Sequence, residues 1–320
     1  MYYLKRTITA MATIFFVTIF LFLLLQVVPG DPVLSRIGMD EMEFNPRLVE
    51  QLTREFELDK PVLERYTNWI SRVIRGDLGN SFNYSNYTVN ELISQRITTT
   101  MLLAFLSLLL VVVLGIPLGV LLAKKENTWG GDLLNALSQI GLALPNFWVA
   151  IIALWLFGSV LGWFPIRGRI DFSNIALTIR TLTLPVITLS IGGIASVARY
   201  LKTSLIEEKE KDYVIVAKSK GVTDSEIMRK HVFRNSLIPV TTVIGLLFIG
   251  LMTGSIIIEN VFSLSGMGSL LITSINANDY PVIQGVVLYY SIIVVLTTFI
   301  LDILYVLIDP RIKLDKGRSS

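Results

Sequence analysis

Apolar residues run along the chain in long blocks separated by polar segments. Six stretches, 9–28, 100–123, 133–161, 182–200, 237–258 and 282–308, are apolar over lengths that suit a bilayer crossing, for which a helix needs about 20 residues. The third is longer than one crossing requires, and Pro145 marks where it is expected to tilt or break. Lys5 and Arg6 ahead of the first stretch resemble the start of a secretion leader, but no small-residue cleavage site follows. Val28-Pro29-Gly30-Asp31-Pro32 suits a helix stop better, so a retained span is expected. Pro117, Pro145, Pro185 and Pro239 lie in or beside spans, where neighbouring groups can satisfy the freed carbonyls. Gly115 with Gly119, and Gly250 with Gly254, form two G-x-x-x-G pairs that predict close helix packing.

Between the fourth and fifth stretches lies a long polar segment, 205–239, that carries strong structural signals. Glu207 to Asp212 is charged and built of good helix formers. Val214 to Ala217 adds an apolar patch, and Gly221 ends the helical pattern. Thr223 with Glu226 then reads as a capping box, and Val222 with Ile227 as its hydrophobic staple. The pattern predicts helix, glycine turn, helix: a short amphipathic knob rather than a loose loop. The polar segment 30–99 is too long for a bare loop. Helices are expected at 46–56 and at 61–74, where Val62, Leu63, Tyr66, Trp69, Ile70, Val73 and Ile74 recur at helical spacing. Asn83-Tyr84-Ser85 and Asn86-Tyr87-Thr88 match the glycosylation triplet by pattern alone.

Composition agrees with this pattern. Of the 320 residues 52% are hydrophobic and 17% charged, with a mean hydropathy of +0.63, the balance of an integral membrane protein. A net charge of +3 gives no indication of nucleic-acid binding. With no cysteine and one histidine, His231, thiolate metal sites, disulfides and cysteine nucleophiles are excluded. No G-x-x-x-x-G-K-[ST] occurs, so an ATPase driving this protein must be another chain. Basic residues in short connections orient the spans. With the N-terminus inside, the inner segments carry Lys5 and Arg6, Lys124 and Lys125, eight basic residues from Lys202 to Arg234, and Arg311, Lys313, Lys316 and Arg318. The outer loops carry Arg167, Arg169 and Arg180 in one and none between Glu259 and Pro281. Both termini and the hairpin are therefore expected in the cytoplasm. The expected fold is all-α and integral to the membrane, with six transmembrane helices, a large external segment after the first, and the cytoplasmic hairpin between the fourth and fifth.

Several short stretches resemble, jointly and over nearly the whole chain, the permease subunits of ATP-binding-cassette importers, specifically the dipeptide/oligopeptide/nickel branch. These are Val28-Pro29-Gly30-Asp31-Pro32, Leu58-Asp59-Lys60-Pro61, Arg65-Tyr66 with Trp69, and Gly76-Asp77-Leu78-Gly79 with Ser81-Phe82. The hairpin adds Asp212-Tyr213, Ala217, Gly221, His231, Arg234-Asn235 and Pro239. The last external loop adds Glu259-Asn260-Val261-Phe262 and Gly266-Met267-Gly268, and the end of the chain Asp302, Tyr305 and Asp309-Pro310-Arg311. The wider family's E-A-A-x-x-x-G is kept at Ala217 and Gly221, while Ile215 and Val216 replace its first two residues and His231-Val232-Phe233-Arg234 replaces I-x-L-P. Ser265 and Ser269 stand where the branch often has proline and a basic residue.

The resemblance implies an N-terminal span at 1–29, an external segment at 30–94, a type-1 transmembrane domain at 95–306 with the coupling region near 205–236, and a cytoplasmic tail at 307–320. It implies a hairpin seated in a cleft of a cytoplasmic ATPase, with Asp212, Tyr213, Ala217, Gly221, Val222, Thr223 and Glu226 as coupling residues. It also implies Glu259, Phe262, Gly266 and Gly268 near the path, and Asp302, Tyr305, Asp309 and Arg311 as a structural motif. The implied partners are a second homologous permease, two ATPase subunits, an external substrate-binding protein and the lipid membrane. No cofactor is expected on this chain; ATP and Mg²⁺ belong to the ATPase subunits. The implied cargo is a dipeptide or oligopeptide, or alternatively nickel or a metal chelate.

Other classes fit less well. An intramembrane protease needs a nucleophile with its base, or two facing aspartates, and only Asp302 lies well inside an apolar stretch. Its nearness to the cytoplasmic end favours a structural bond. An ion-coupled carrier or channel is expected to show several buried charges or an inverted repeat, and the sequence shows neither. Gln139, Asn146 and Gln284 near span interiors suit helix bridging better than a lined path. His231, beside Arg229 and Lys230, suits a surface or packing position rather than a metal site.

Overall fold

A computed structural model of the chain describes the backbone of residues 2–27, 33, 36–37, 46–84, 86–168 and 170–308, and side chains of these from 6 to 303. The expected stop at 28–32, Ser85 of one glycosylation triplet, Arg169 and the closing Asp309-Pro310-Arg311 lie outside the described residues. The described residues form helices α1 (Tyr2–Val27), α2 (Pro46–Glu55), α3 (Val62–Ile74), α4 (Val89–Lys124), α5 (Trp129–Ala143) and α6 (Asn146–Ala153). Then follow α7 (Ile175–Lys209), α8 (Asp212–Ser219), α9 (Asp224–Ile227), α10 (Phe233–Val261), α11 (Met267–Asn276) and α12 (Tyr280–Ile308). Two π-helical turns continue α6 (Leu154–Val160) and join α9 to α10 (Met228–Val232). Among the described residues there is no strand, only an isolated bridge between Asn80 and Thr88.

Among the described residues five helices are long and apolar enough to cross a membrane, or six if α5 with α6 and its π turn, bent by 96°, is counted as one broken span. The sequence places that break correctly. Leu144, ahead of Pro145, is forced extended (ψ 127°) and stops α5. Pro145 then starts α6, its fixed φ of −62° suiting a helix start. Prolines 117, 185 and 239 lie inside α4, α7 and α10 without ending them.

The chain divides into two compact units, Met1–Thr100 with Ser265–Phe299, and Met101–Leu264 with Ile300–Ser320. In the first, α3 packs on α1: Phe22 lies edge-on to Tyr66 at 5.4 Å and stacks with Trp69 at 6.0 Å, and Thr18 and Tyr66 share a 3.1 Å hydrogen bond. The expected amphipathic helix at 61–74 is α3, with Trp69 buried and Leu63 and Ile74 exposed. The fully buried Asp279 carboxylate gathers the segment before α4. It accepts from Ser81 Oγ, from Phe82 N at 3.1 Å and from Asn83 N at 3.2 Å, and Asn83 Nδ2 donates to Ala277 O at 2.7 Å.

In the second unit α7 is the central post. A Cβ on Gly119 would stand 2.8 Å from Ala198 O, and one on Gly115 3.0 Å from Val197 Cβ, so α4 approaches α7 as closely as its G-x-x-x-G predicts. The second pair behaves differently. A Cβ on Gly250 would meet nothing within 4 Å, and one on Gly254 only Leu189 at 3.6 Å. Among the described residues no neighbour fills the notch at Gly250. Ser236 Oγ links α10 to α7 through Ser204 O at 3.2 Å.

Candidate functional site

The hairpin after α7 is built as predicted, from a helix, a glycine turn and a helix. At the turn Gly221 has φ +78°, a backbone that side-chain-bearing residues avoid. Its N–H donates to Lys218 O at 2.9 Å, and Val222 N–H reaches back to Ala217 O at 3.2 Å. That pair of bonds is the Schellman closure, and it gives carbonyls in the last turn of α8 their partners. Lys218 pairs with Asp224 across the turn at 2.9 Å.

The expected capping box does not form. Thr223 occupies the N-cap with extended backbone, but its side chain makes no cap bond. Glu226 turns forward to Lys230 at 2.6 Å instead of back to the Thr223 amide. One carboxylate cannot serve both, and the bond to the ammonium is charge-assisted. The staple residues do meet one core, Ile227 being buried and Val222 packed against the same cluster.

Two features fasten the knob to the spans. Val214, Ile227 and Val232 are buried in one apolar cluster with Val197, Leu201 and Leu205 of α7 and Val240 of α10. Burying a side chain such as Val214 or Ile227 is worth about 1.5–3 kcal/mol. The second feature is the Glu208 carboxylate, 8% exposed at the end of α7. It accepts from Lys211 and from Tyr213 Oη at 2.7 Å, and Asn235 of α10 bonds it as well. One carboxylate thus ties α7, α8 and α10 together. Burial pushes the Tyr213 phenol above its ordinary range, and the bond to Glu208 adds to that shift.

The outer side of α8 is different. Ile215 is 61% exposed and Val216 52% exposed, beside exposed Lys211, Lys218 and Lys220. Two large apolar side chains thus stand in the open on a helix whose other side is packed against the core. The expected coupling residues therefore divide. Tyr213, Ala217 and Val222 pack inward against the core cluster. Asp212, Gly221 and Thr223 are exposed, and Glu226 is half-buried in its pair with Lys230. His231 is exposed.

The other expected residues that the structure describes belong to elements outside the hairpin. Glu259 and Phe262 are buried at the far end of α10, whose 29 residues span roughly 43 Å at 1.5 Å per residue. Ser255 Oγ donates to Glu259 Oε1 at 3.2 Å, and Gly168 N–H donates to Phe262 O at 3.2 Å. Gly266 is the N-cap of α11, where Ser269 Oγ accepts its N–H at 3.1 Å, and Gly268 is buried in that helix. Asp302 is half-buried in α12, and Tyr305 lies in the same helix. Among the described residues no group of three or more His, Cys, Asp or Glu is arranged to hold a metal ion.

Membrane-crossing helices, three of which (α4, α7 and α10) share a buried apolar core with the polar hairpin, define a multi-pass membrane component. The chain belongs to the family described as "Binding-protein-dependent transport system inner membrane component", which matches residues 115–314. The family's N-terminal component matches residues 1–104. Relatives include a putative peptide transport system permease protein of Brucella abortus, 36% identical over 98% of both chains. A dipeptide transport system permease protein of Lactococcus lactis is 34% identical over 98% of this chain and 99% of its own. An oligopeptide transport system permease protein of Bacillus subtilis is 33% identical over the same shares. Among solved structures, an inward-facing methionine ABC transporter matches with a TM-score of 0.55 at 19% identity, over 68% of this chain and 96% of that one, and so shares the fold. The protein is an ABC importer permease subunit.

Proposed function

We propose that this permease carries peptides, delivered by an external binding protein, along a path formed with a second homologous permease. Two separate ATPase subunits hold ATP and Mg²⁺ and drive the movement; this chain performs no hydrolysis. Both termini and the hairpin face the cytoplasm, as the distribution of lysine and arginine favours. The single observation that supports coupling best is the pairing of exposed Ile215 and Val216 with a frame whose core is continuous with α7 and α10. A displacement imposed on the outer side of α8 is then passed to the spans that share this core, α4, α7 and α10, instead of being absorbed by a loop. ATP binding shifts such a two-state element only through a difference in affinity between the states. The peptide cargo is supported by the names of the relatives, which are peptide, dipeptide and oligopeptide permeases.

Asp212, Gly221 and Thr223 are proposed to frame the docked surface, with Tyr213, Ala217, Val222 and Glu226 holding its shape. Glu259, Phe262, Gly266 and Gly268 are proposed to shape the outer end of the path. Asp302, Tyr305, Asp309 and Arg311 are proposed as a structural motif. Ile215→Asp tests the coupling role. An aspartate there keeps the frame and places a charge on the docking side. ATPase subunits should copurify at least tenfold less well while the permease inserts normally. Undiminished copurification and uptake would refute the docking surface. Labelled peptide and labelled nickel offered to the assembled transporter separate the proposed cargo from the metal alternative.

A further inference from the structure

Two polar stripes face each other near the hairpin end of the second unit. Arg199, Lys202 and Glu207 recur on α7 at i, i+3 and i+8, on one side of that helix. Asn135 and Gln139 form the matching stripe on α5, at i and i+4. Between them lies a cavity of about 510 Å³, which Glu126 also lines, a size typical of small-molecule sites. Lys202 Nζ donates to Asn135 Oδ1 at 3.4 Å across it. Elsewhere α5 shows apolar side chains: Leu137 is 55% exposed and Ile140 53% exposed. Its polarity is therefore gathered on the cavity side, as expected where a span meets water rather than lipid. One wall, α5, is half of the span broken at Pro145, and broken helices at membrane depth are tolerated where they line a cavity.

The lining groups are of three kinds: cations at Arg199 and Lys202, carboxylates at Glu126 and Glu207, and neutral amides at Asn135 and Gln139. A ligand matching all three carries a carboxylate, an ammonium and amide groups between them, which describes a short peptide with free termini. We propose that this cleft is the inner end of the cargo path and holds such a peptide by its termini before release. It rests on the importer function and orientation proposed above. Arg199 and Glu207 are exposed, and exposed ion pairs are weak, which suits a site that must let its ligand go.

The chain has no cysteine of its own, so Thr203→Cys, on the cavity lining, gives it one thiol; Ser138→Cys provides a second, independent position. The assembled transporter, with its partner permease, ATPases and binding protein, is placed in lipid vesicles. Labelling of this chain by a charged maleimide is followed by mass. Trialanine should slow labelling at least fivefold, and N-acetyl-trialanine amide should not. Adding Arg199→Gln should raise the half-protecting trialanine concentration at least fivefold, each protection curve being scaled to the same variant's labelling without peptide. Equal effects of the free and blocked peptides, or no protection by either while uptake continues, would overturn the cleft assignment and leave the importer function standing. Protection that follows the phosphoethanolamine content of the vesicles and ignores peptide would assign the cleft to lipid and overturn it too. Absence of uptake for every peptide tried would overturn the proposed peptide cargo and this site together.

Discussion

Substitutions at Gly221 separate backbone handedness from size. A Cβ at this position meets no atom within 4 Å, so volume alone costs nothing within the chain. The φ of +78° is what a larger residue cannot adopt cheaply. The left-handed region costs an ordinary residue roughly 1–2 kcal/mol; asparagine enters it more readily, and a β-branched residue least of all. Opening the turn relieves that strain but gives up the bonds to Lys218 O and Ala217 O. A cost of 1–2 kcal/mol corresponds to a factor of about 5–30 in the population of the closed hairpin. Gly221→Asn should therefore retain most coupled uptake, Gly221→Val should lose about tenfold, and Gly221→Pro, which also lacks the N–H bonded to Lys218, should lose the most. The assay is uptake and ATP hydrolysis measured together in vesicles, with insertion checked by the amount of permease recovered from membranes. Wild-type uptake by Gly221→Val would refute the reasoning. Equal loss in Asn and Val would also refute it, because size rather than φ would then be limiting.

Three further outcomes are expected. Gly119→Val forces its Cβ against the Ala198 carbonyl, 2.8 Å away in the present packing, so assembly should weaken by about 1–3 kcal/mol, read as a lower unfolding temperature in detergent; an unchanged temperature contradicts the close α4–α7 approach. Asp279→Ala strands the donors of Ser81, Phe82 and Asn83, at about 1–3 kcal/mol for a buried unsatisfied group, and should expose the segment before α4 to protease while α7–α10 stay protected. Asp302→Asn keeps shape and hydrogen bonding and should reduce uptake less than twofold; complete loss with normal assembly would make the charge itself functional.

Much of this architecture is legible in the chain because the strongest signals are local. The apolar blocks, the break at Pro145 and the glycine turn at Gly221 depend on residues next to one another. The capping boxes show the limit. Thr88 and Glu91 form the reciprocal pair, Thr88 N to Glu91 Oε2 at 2.9 Å and Glu91 N to Thr88 Oγ1 at 3.2 Å. Thr223 and Glu226 have the same spacing, yet Lys230 takes the carboxylate. Spacing alone cannot say which partner wins. Asp279 gave no signal, because its bond to Ser81 joins residues 198 positions apart. Glu208 looked like one charge in a run of charges until Tyr213 and Asn235 folded over it. The patch from Val214 to Ala217 read as a single apolar unit. Folding turns Val214 and Ala217 inward and leaves Ile215 and Val216 outside, and only the outward pair can form the docking surface proposed above.

The most direct measurement replaces Ile215 with cysteine in this otherwise cysteine-free chain and adds a short bifunctional thiol reagent to membranes of cells making the whole transporter. A crosslink from position 215 to an ATPase subunit, absent when the cysteine is placed instead at exposed Leu63 on α3, is the result the coupling account predicts. An ATPase captured from neither position 215 nor position 216, in membranes that still take up cargo, would contradict it.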